Sequence, residues 1–168
     1  MMKKIYAKAI FILLLIVLFP AICHAHAKSI PLSSKYTSYK QFVVIDKSEN
    51  KLALYENGKL IKTFSVATGA KPSDTPEGLF SVLNKVKNRP YYKEHIKGGE
   101  PRNPLGDRWI GLLVKVKGKT SYAYAIHGTN QESSIGKHIS HGCIRMHKKD
   151  IHWLYENIKI DTPVLIQK

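Results

Sequence analysis

Two residue types in this chain can work together as a nucleophile and its base. Cys143 lies in the run Ser140-His141-Gly142-Cys143-Ile144-Arg145, and His127 opens His127-Gly128-Thr129 sixteen positions earlier. A free thiol is only a few per cent thiolate at neutral pH. A cysteine that attacks a carbonyl carbon therefore needs an imidazole to take its proton, a group to orient that imidazole, and N–H donors for the oxyanion that forms. His127 is expected at the end of a strand, where the following turn holds its ring at the rim of a sheet. His141 is the second candidate base: it stands two positions before Cys143 and shares a face with it if the segment is extended. Gly142 lets the backbone approach a substrate closely, and the amides of Gly142 and Cys143 can then converge on one carbonyl oxygen. The chemistry such a set performs is acyl transfer through a thioester.

The cysteine count leaves two readings of Cys143, a reactive thiol or a buried, inert one packing as a small hydrophobe, and its neighbours decide between them. The chain holds two cysteines, Cys23 and Cys143. Residues 1–27 read as a secretory signal: Lys3, Lys4 and Lys8 precede the apolar run Ala9–Phe19, then Pro20 and the small-residue site Ala25-His26-Ala27. The apolar run is short for a bilayer span, which needs about 20 residues. With the signal removed, Cys143 is the only thiol, and an unpaired thiol in an exported chain is a liability unless it reacts. Formal charge is +15 and stays strongly positive without the signal, so the protein concentrates near polyanions. For an exported chain, in the cell wall, the medium or a periplasm, these are anionic wall polymers and lipid heads, and nucleic acid is not expected as a partner.

The elements that must position these residues are mostly strands. Residues 28–40 are polar and aperiodic, an expected exposed leader. Phe42–Ile45 is a short apolar run, Leu52 and Leu54 alternate with their neighbours, and Glu56-Asn57-Gly58-Lys59 supplies a hairpin turn, because Asn-Gly tolerates positive φ. Phe64 and Val66 continue the return strand. Gly78–Val86 gives another, with Phe80, Val82 and Val86 on one face. Leu112, Val114 and Val116 alternate next, Gly118-Lys119 turns the chain, and Tyr122, Tyr124 and Ile126 share a face of the strand that ends at His127. Between them, Lys87–Asp107 is rich in Pro, Gly and charge and is expected as a flap over a site. Lys85, Lys87, Lys115 and Lys117 are expected to face solvent, and Trp109 to pack as an anchor. One helix follows Cys143, with Ile151, Leu154, Tyr155 and Ile158 at helical spacing and Asp150 in its first turn. Thr162–Gln167 closes with a strand. The expected architecture is a single mostly-β domain over residues 41–168, a sandwich or open barrel with one helix after the cysteine.

Taken together, Ser140-His141-Gly142-Cys143-Ile144-Arg145 and Ile126-His127-Gly128-Thr129 resemble the signature of the L,D-transpeptidase catalytic domain, also called the YkuD domain. Ser134-Ile135-Gly136-Lys137, Ala67-Thr68-Gly69 and Thr75-Pro76-Glu77-Gly78-Leu79-Phe80 add to the resemblance, which covers about residues 41–168. It implies that Cys143 attacks the bond between the L-centre of a diamino acid and D-alanine in a peptidoglycan tetrapeptide stem, releasing D-alanine. His127 is implied as the base, oriented by the main-chain carbonyl of Ser140. The amides of His141, Gly142 and Cys143 are implied as the oxyanion hole, and Arg145, with Gly128 and Thr129, as substrate-binding residues. Arg145 occupies a position often held by asparagine elsewhere in the family, and its planar fork suits a substrate carboxylate. No cofactor and no metal enters this chemistry.

Other readings stay open on the sequence alone. His127, His138, His141, Cys143, His147 and His152 crowd one stretch, which invites a zinc site, yet His141-Gly142-Cys143 lacks the spacer of most zinc pairs and no second cysteine accompanies it. A wall-binding module without turnover is a second reading, but binding has no use for a thiol–imidazole pair. An L,D-carboxypeptidase shares every step up to the thioester and differs only in taking water as acceptor.

Overall fold

The computed structural model describes residues 30–168; the expected signal segment, 1–27, lies outside the described residues. Ten strands and one α-helix follow in order: β1 (Gln41–Asp46), β2 (Lys51–Glu56), β3 (Lys59–Gly69), β4 (Gly78–Lys87), β5 (Arg108–Val116), β6 (Lys119–Ser121), β7 (Ala125–His127), β8 (His138–Ser140), β9 (Ile144–Met146), α1 (Lys148–Asn157) and β10 (Pro163–Gln167). Eight of the strands form a ring in the order β2-β1-β10-β4-β5-β7-β9-β3, and pairing of β2 with β3 closes it into a barrel. The mostly-β class with one helix after Cys143 agrees with the sequence, and closure removes the free edges an open sheet would expose.

Alternation fills the barrel as the sequence predicts. Val43, Ile45, Leu52 and Leu54 point inward and are fully buried, each worth about 1.5–3 kcal/mol relative to exposure. The hairpin between β2 and β3 turns at Asn57 and Gly58, with φ of 48° and 76°, the left-handed pair that a two-residue turn requires. Helix α1 buries Ile151, Leu154 and Tyr155 against the ring. Its first turn is held from outside: Glu132 accepts from the Lys148 amide at 3.1 Å and pairs with His147, which satisfies an N-terminal donor that the helix itself cannot.

The structure departs from the sequence reading at four places. The leader is not simply exposed: Ile30 is buried, Tyr55 donates its hydroxyl to the Ile30 carbonyl, and Tyr36 stacks on Phe42 at 4.4 Å. Phe42, Val44, Ala53 and Tyr55 make the outer faces of β1 and β2 apolar, and residues 30–40 cover them. Val86 does not join Phe80 and Val82. The register of β4 against β5 shifts between Val82 and Asn84, and one extra residue moves every later side chain to the opposite face. Lys85 is thereby turned away from open solvent, donating to the Ile158 carbonyl at 2.9 Å and lying over the Tyr155 ring. Tyr122 and Tyr124 do not extend the strand to His127, because β6 ends at Ser121 and β7 begins at Ala125.

Candidate active site

The pairing register puts a set of side chains on one outer face of the barrel. Ile110, Ile126 and Ile144 are core residues on adjacent strands β5, β7 and β9. Their neighbours must point the other way, since side chains alternate. Trp109 pairs with His127, and His127 pairs with Arg145, so indole, imidazole and guanidinium stand in a row. Trp109 and His127 stack with ring centres 5.6 Å apart and planes 13° from parallel. Cys143 comes immediately before β9 and abuts the segment entering β7.

His127 is 3% exposed. The segment Lys87–Asp107 supplies part of its cover: Gly106 packs on Gly128, where a Cβ on Gly106 would come within 2.8 Å of the Gly128 Cα. The far end of this segment is fastened to α1, His152 bonding both Asp107 carboxylate oxygens at 2.8 Å. The His127 Nδ1 lies 2.6 Å from the Gly128 carbonyl. With Nδ1–H donating there, Nε2 carries the lone pair that a base requires. The sequence reading placed the Ser140 carbonyl in this orienting position. The structure places it elsewhere, accepting from the Ala70 amide at 2.8 Å.

The turn ahead of Cys143 is held by two hydroxyls. Ser140 Oγ donates to the Cys143 carbonyl at 2.6 Å and accepts from the Gly142 amide at 3.0 Å. The Gly142 amide, expected in the oxyanion hole, is therefore engaged within the turn, and His141 points its exposed side chain outward. Thr75 Oγ1 donates to the Gly142 carbonyl and accepts from the Gly69 amide, both at 2.9 Å. The two sequence motifs around Gly69 and Thr75 thus meet behind the catalytic-type turn. Gly142 itself has φ of +125°, a conformation side chains avoid.

The thiol donates to the Ala123 carbonyl at 3.5 Å, and the Ala125 amide points at the sulphur. One side of Cys143 remains open to solvent. The protein packed around the sulphur pushes the thiol pKa up, against the Ala125 amide and the charges of Arg145 and Arg89, which pull it down. Burial lowers His127 to about 4, and the nearby Arg145 charge adds to this, while the carbonyls of Gly128 and Leu105 oppose it. Both shifts favour the uncharged forms, the thiol and the neutral imidazole. Arg145 reaches Gln131 Oε1 at 3.2 Å, and Thr129 Oγ1 accepts from the Gln131 amide at 3.0 Å, so Gly128, Thr129 and Arg145 border the same face.

The remaining histidines are dispersed. His138 bonds Thr68 and Asn50, His147 pairs with Glu132, and His152 with Asp107. Among the described residues no three His, Cys, Asp or Glu side chains gather as metal ligands would. A cavity of about 440 Å³ opens beside Gly69, Ala70 and His138, and Cys143 does not line it. Sequence reasoning gave no role to the Thr75 hydroxyl behind the turn or to the stacking of Trp109 on His127; the pairing register was the missing information for Trp109.

The buried neutral imidazole has a consequence for stability. Its folded pKa of about 4 lies below the unfolded value of 6.5, so the unfolded chain takes up the proton first as pH falls. The contribution is complete above pH 6.5 and is lost progressively towards pH 4, by about 3 kcal/mol. Denaturant titrations of wild type and His127→Gln should show this loss in the wild type only. Parallel curves for the two proteins over that window would contradict a buried neutral His127.

Residues 40–166 match the family model of the L,D-transpeptidase catalytic domain, YkuD. YqjB of Bacillus subtilis (strain 168), which carries an L,D-transpeptidase name, is 47% identical over 125 residues, covering 74% of this chain and 70% of its own. YkuD of the same organism is 35% identical over 117 residues, covering 70% and 60%. Among solved structures, L,D-transpeptidase 3 from Mycobacterium tuberculosis in complex with a faropenem-derived adduct superposes with a TM-score of 0.55 at 22% identity, covering 77% of this chain and 60% of that one. The closed barrel and the paired motifs define an L,D-transpeptidase catalytic domain, and the chain belongs to that family. It spans somewhat under two thirds of YkuD and of the mycobacterial chain.

Proposed function

We propose that the protein is a peptidoglycan L,D-transpeptidase in which Cys143 is the nucleophile and His127 its base. The observation that carries this reading is the parallel pairing of β7 with β9, in which Ile126 and Ile144 are partners, so that Cys143 precedes β9 one step from the pair and His127 follows it one step beyond, with the His127 Nδ1 at the Gly128 carbonyl. The thiol swings from the Ala123 carbonyl towards the ring, His127 takes its proton, and sulphur attacks the carbonyl between the L-centre and D-alanine. The amides of His141 and Cys143 receive the oxyanion, the Gly142 amide being tied to Ser140. His127 then protonates the departing D-alanine nitrogen, leaving a thioester on Cys143. An amine of a second stem, deprotonated by His127, attacks the thioester and restores the thiol.

The substrate takes part in activating the base. Arg145 depresses His127, and a carboxylate of the stem other than its C-terminal one, exchanged for Gln131 on Arg145, offsets that charge and raises the basicity of the ring as the complex forms. This fits a resting pair that is neutral and becomes reactive when an anionic donor binds. Export, with action at the wall and retention there by anionic polymers, belongs to the same proposal and follows from the signal-like residues 1–27 and the charge of +15.

The test is to incubate the purified protein with defined tetrapeptide stems and identify the products by mass. Cross-links between two diamino acids, absent with Cys143→Ala, are expected. Tripeptides alone would assign the L,D-carboxypeptidase reaction instead, and unchanged stems would refute both. A chelator is expected to leave turnover intact while thiol alkylation abolishes it, the reverse of what a zinc site would give.

A further inference from the structure

The face that bears His127 carries a second guanidinium whose role the reaction above does not use. Arg89 lies at the start of the covering segment, with its Cζ 4.4 Å above the Trp109 ring. Trp109 in turn stacks on His127, so the indole contacts both the guanidinium and the imidazole. The Arg89 backbone is tied down as well, its carbonyl accepting from Asn103 Nδ2 at 3.0 Å. Among the described residues, no carboxylate lies within ion-pairing distance of Arg89. A guanidinium held over an aromatic ring by a cation–π contact still has N–H donors, and its fork matches a carboxylate bidentately.

The reaction presents such a carboxylate at a defined place. The nitrogen that leaves must stand beside His127, because His127 protonates it. Its own carboxylate is one residue's length from that nitrogen, hence at the border of the imidazole. Trp109 and Arg145 flank His127 from opposite strands, and Arg145 is already donating to Gln131. The unpaired guanidinium is on the Trp109 side. Trp109, which Arg89 covers, is itself the strand partner of His127, which puts the guanidinium on the His127 side of the barrel.

Resting on the transpeptidase reading above, we infer that Arg89, held over Trp109, binds the C-terminal carboxylate of the donor stem, that of the departing D-alanine. This makes Arg89 a specificity residue: it selects stems in which the cleaved bond is the last one, and disfavours longer stems, whose corresponding carbonyl is a neutral amide.

The test compares a tetrapeptide stem ending in D-alanine with the same stem ending in D-alaninamide, the acceptor being held constant. Wild type is expected to lose about 10- to 100-fold in kcat/KM on amidation, the range of one charge-assisted bidentate contact. Arg89→Gln should lose a similar factor on the free acid, chiefly through KM, and discriminate little between acid and amide, while Arg89→Lys keeps part of the preference. A wild-type ratio near one overturns the inference without any variant, and so does an Arg89→Gln enzyme that keeps the wild-type ratio. Loss of discrimination only when the acceptor's carboxylate is amidated would place Arg89 on the acceptor and also overturn it. Failure of wild type to process either stem would instead refute the transpeptidase reading itself.

Discussion

His127→Gln is expected to lower the rate of D-alanine release by about 10³- to 10⁴-fold with the barrel intact, at the upper end of what a positioned base contributes. Glutamine fills much of the space between Trp109 and the covering segment and can donate its amide to the Gly128 carbonyl. It cannot accept the thiol proton or return one to the leaving nitrogen. The loss should appear in kcat, with KM for the stem changed little, because the ring handles protons and does not hold the substrate. Burial makes the distinction testable: a residue 3% exposed can be lost for structural reasons, so thermal melting must accompany the kinetics. A variant that melts normally and still turns over within tenfold of wild type would transfer the role of base to another group, with His141 the first to examine.

Gly142→Ala is expected to damage both stability and turnover. A Cβ at this position would lie 2.5 Å from the Asp74 carbonyl oxygen and 3.0 Å from the Tyr124 ring. The oxygen is backbone, and the neighbouring Thr75 hydroxyl fastens that segment to both Gly69 and Gly142, so the obstacle cannot rotate away. Alanine also resists φ of +125°. Strain and overpacking together cost about 2–4 kcal/mol, a drop in melting temperature of roughly 5–15 °C for a domain of this size. Relief requires the turn to move, and with it Cys143 and its amide, so turnover should fall at least about 100-fold. Wild-type melting and activity in Gly142→Ala would mean the turn is not held as described.

The strands were legible wherever alternation ran for several residues, as in Leu52 and Leu54 or Leu112 and Val114. Strands β7, β8 and β9 have three residues each, too few for a period to show, yet β7 and β9 carry the candidate site. The shift between Val82 and Asn84 was equally invisible, since nothing in Val82-Leu83-Asn84 announces a bulge. Ring closure depends on long-range pairing that local pattern does not encode. At the site, Cys143 and His127 stood out by residue type. The choice of carbonyl facing His127 did not, because it depends on backbone angles in His127-Gly128, and the resemblance pointed to Ser140 where the structure has Gly128. The role of Thr75 was hidden for a similar reason: a threonine 67 positions from Gly142 is tied to it only by the fold.

The identity of the nucleophile is tested most directly by the intact mass of the enzyme during turnover. Rapid acid quenching with a tetrapeptide stem, in the absence of an amine acceptor, should reveal a mass increase equal to the stem minus D-alanine. Peptide mapping should place it on Cys143, and hydroxylamine should remove it, as expected of a thioester. His127→Gln should accumulate the species far more slowly, and Cys143→Ala not at all. An adduct on another residue, or D-alanine released by Cys143→Ala at the wild-type rate, would contradict the assignment of Cys143.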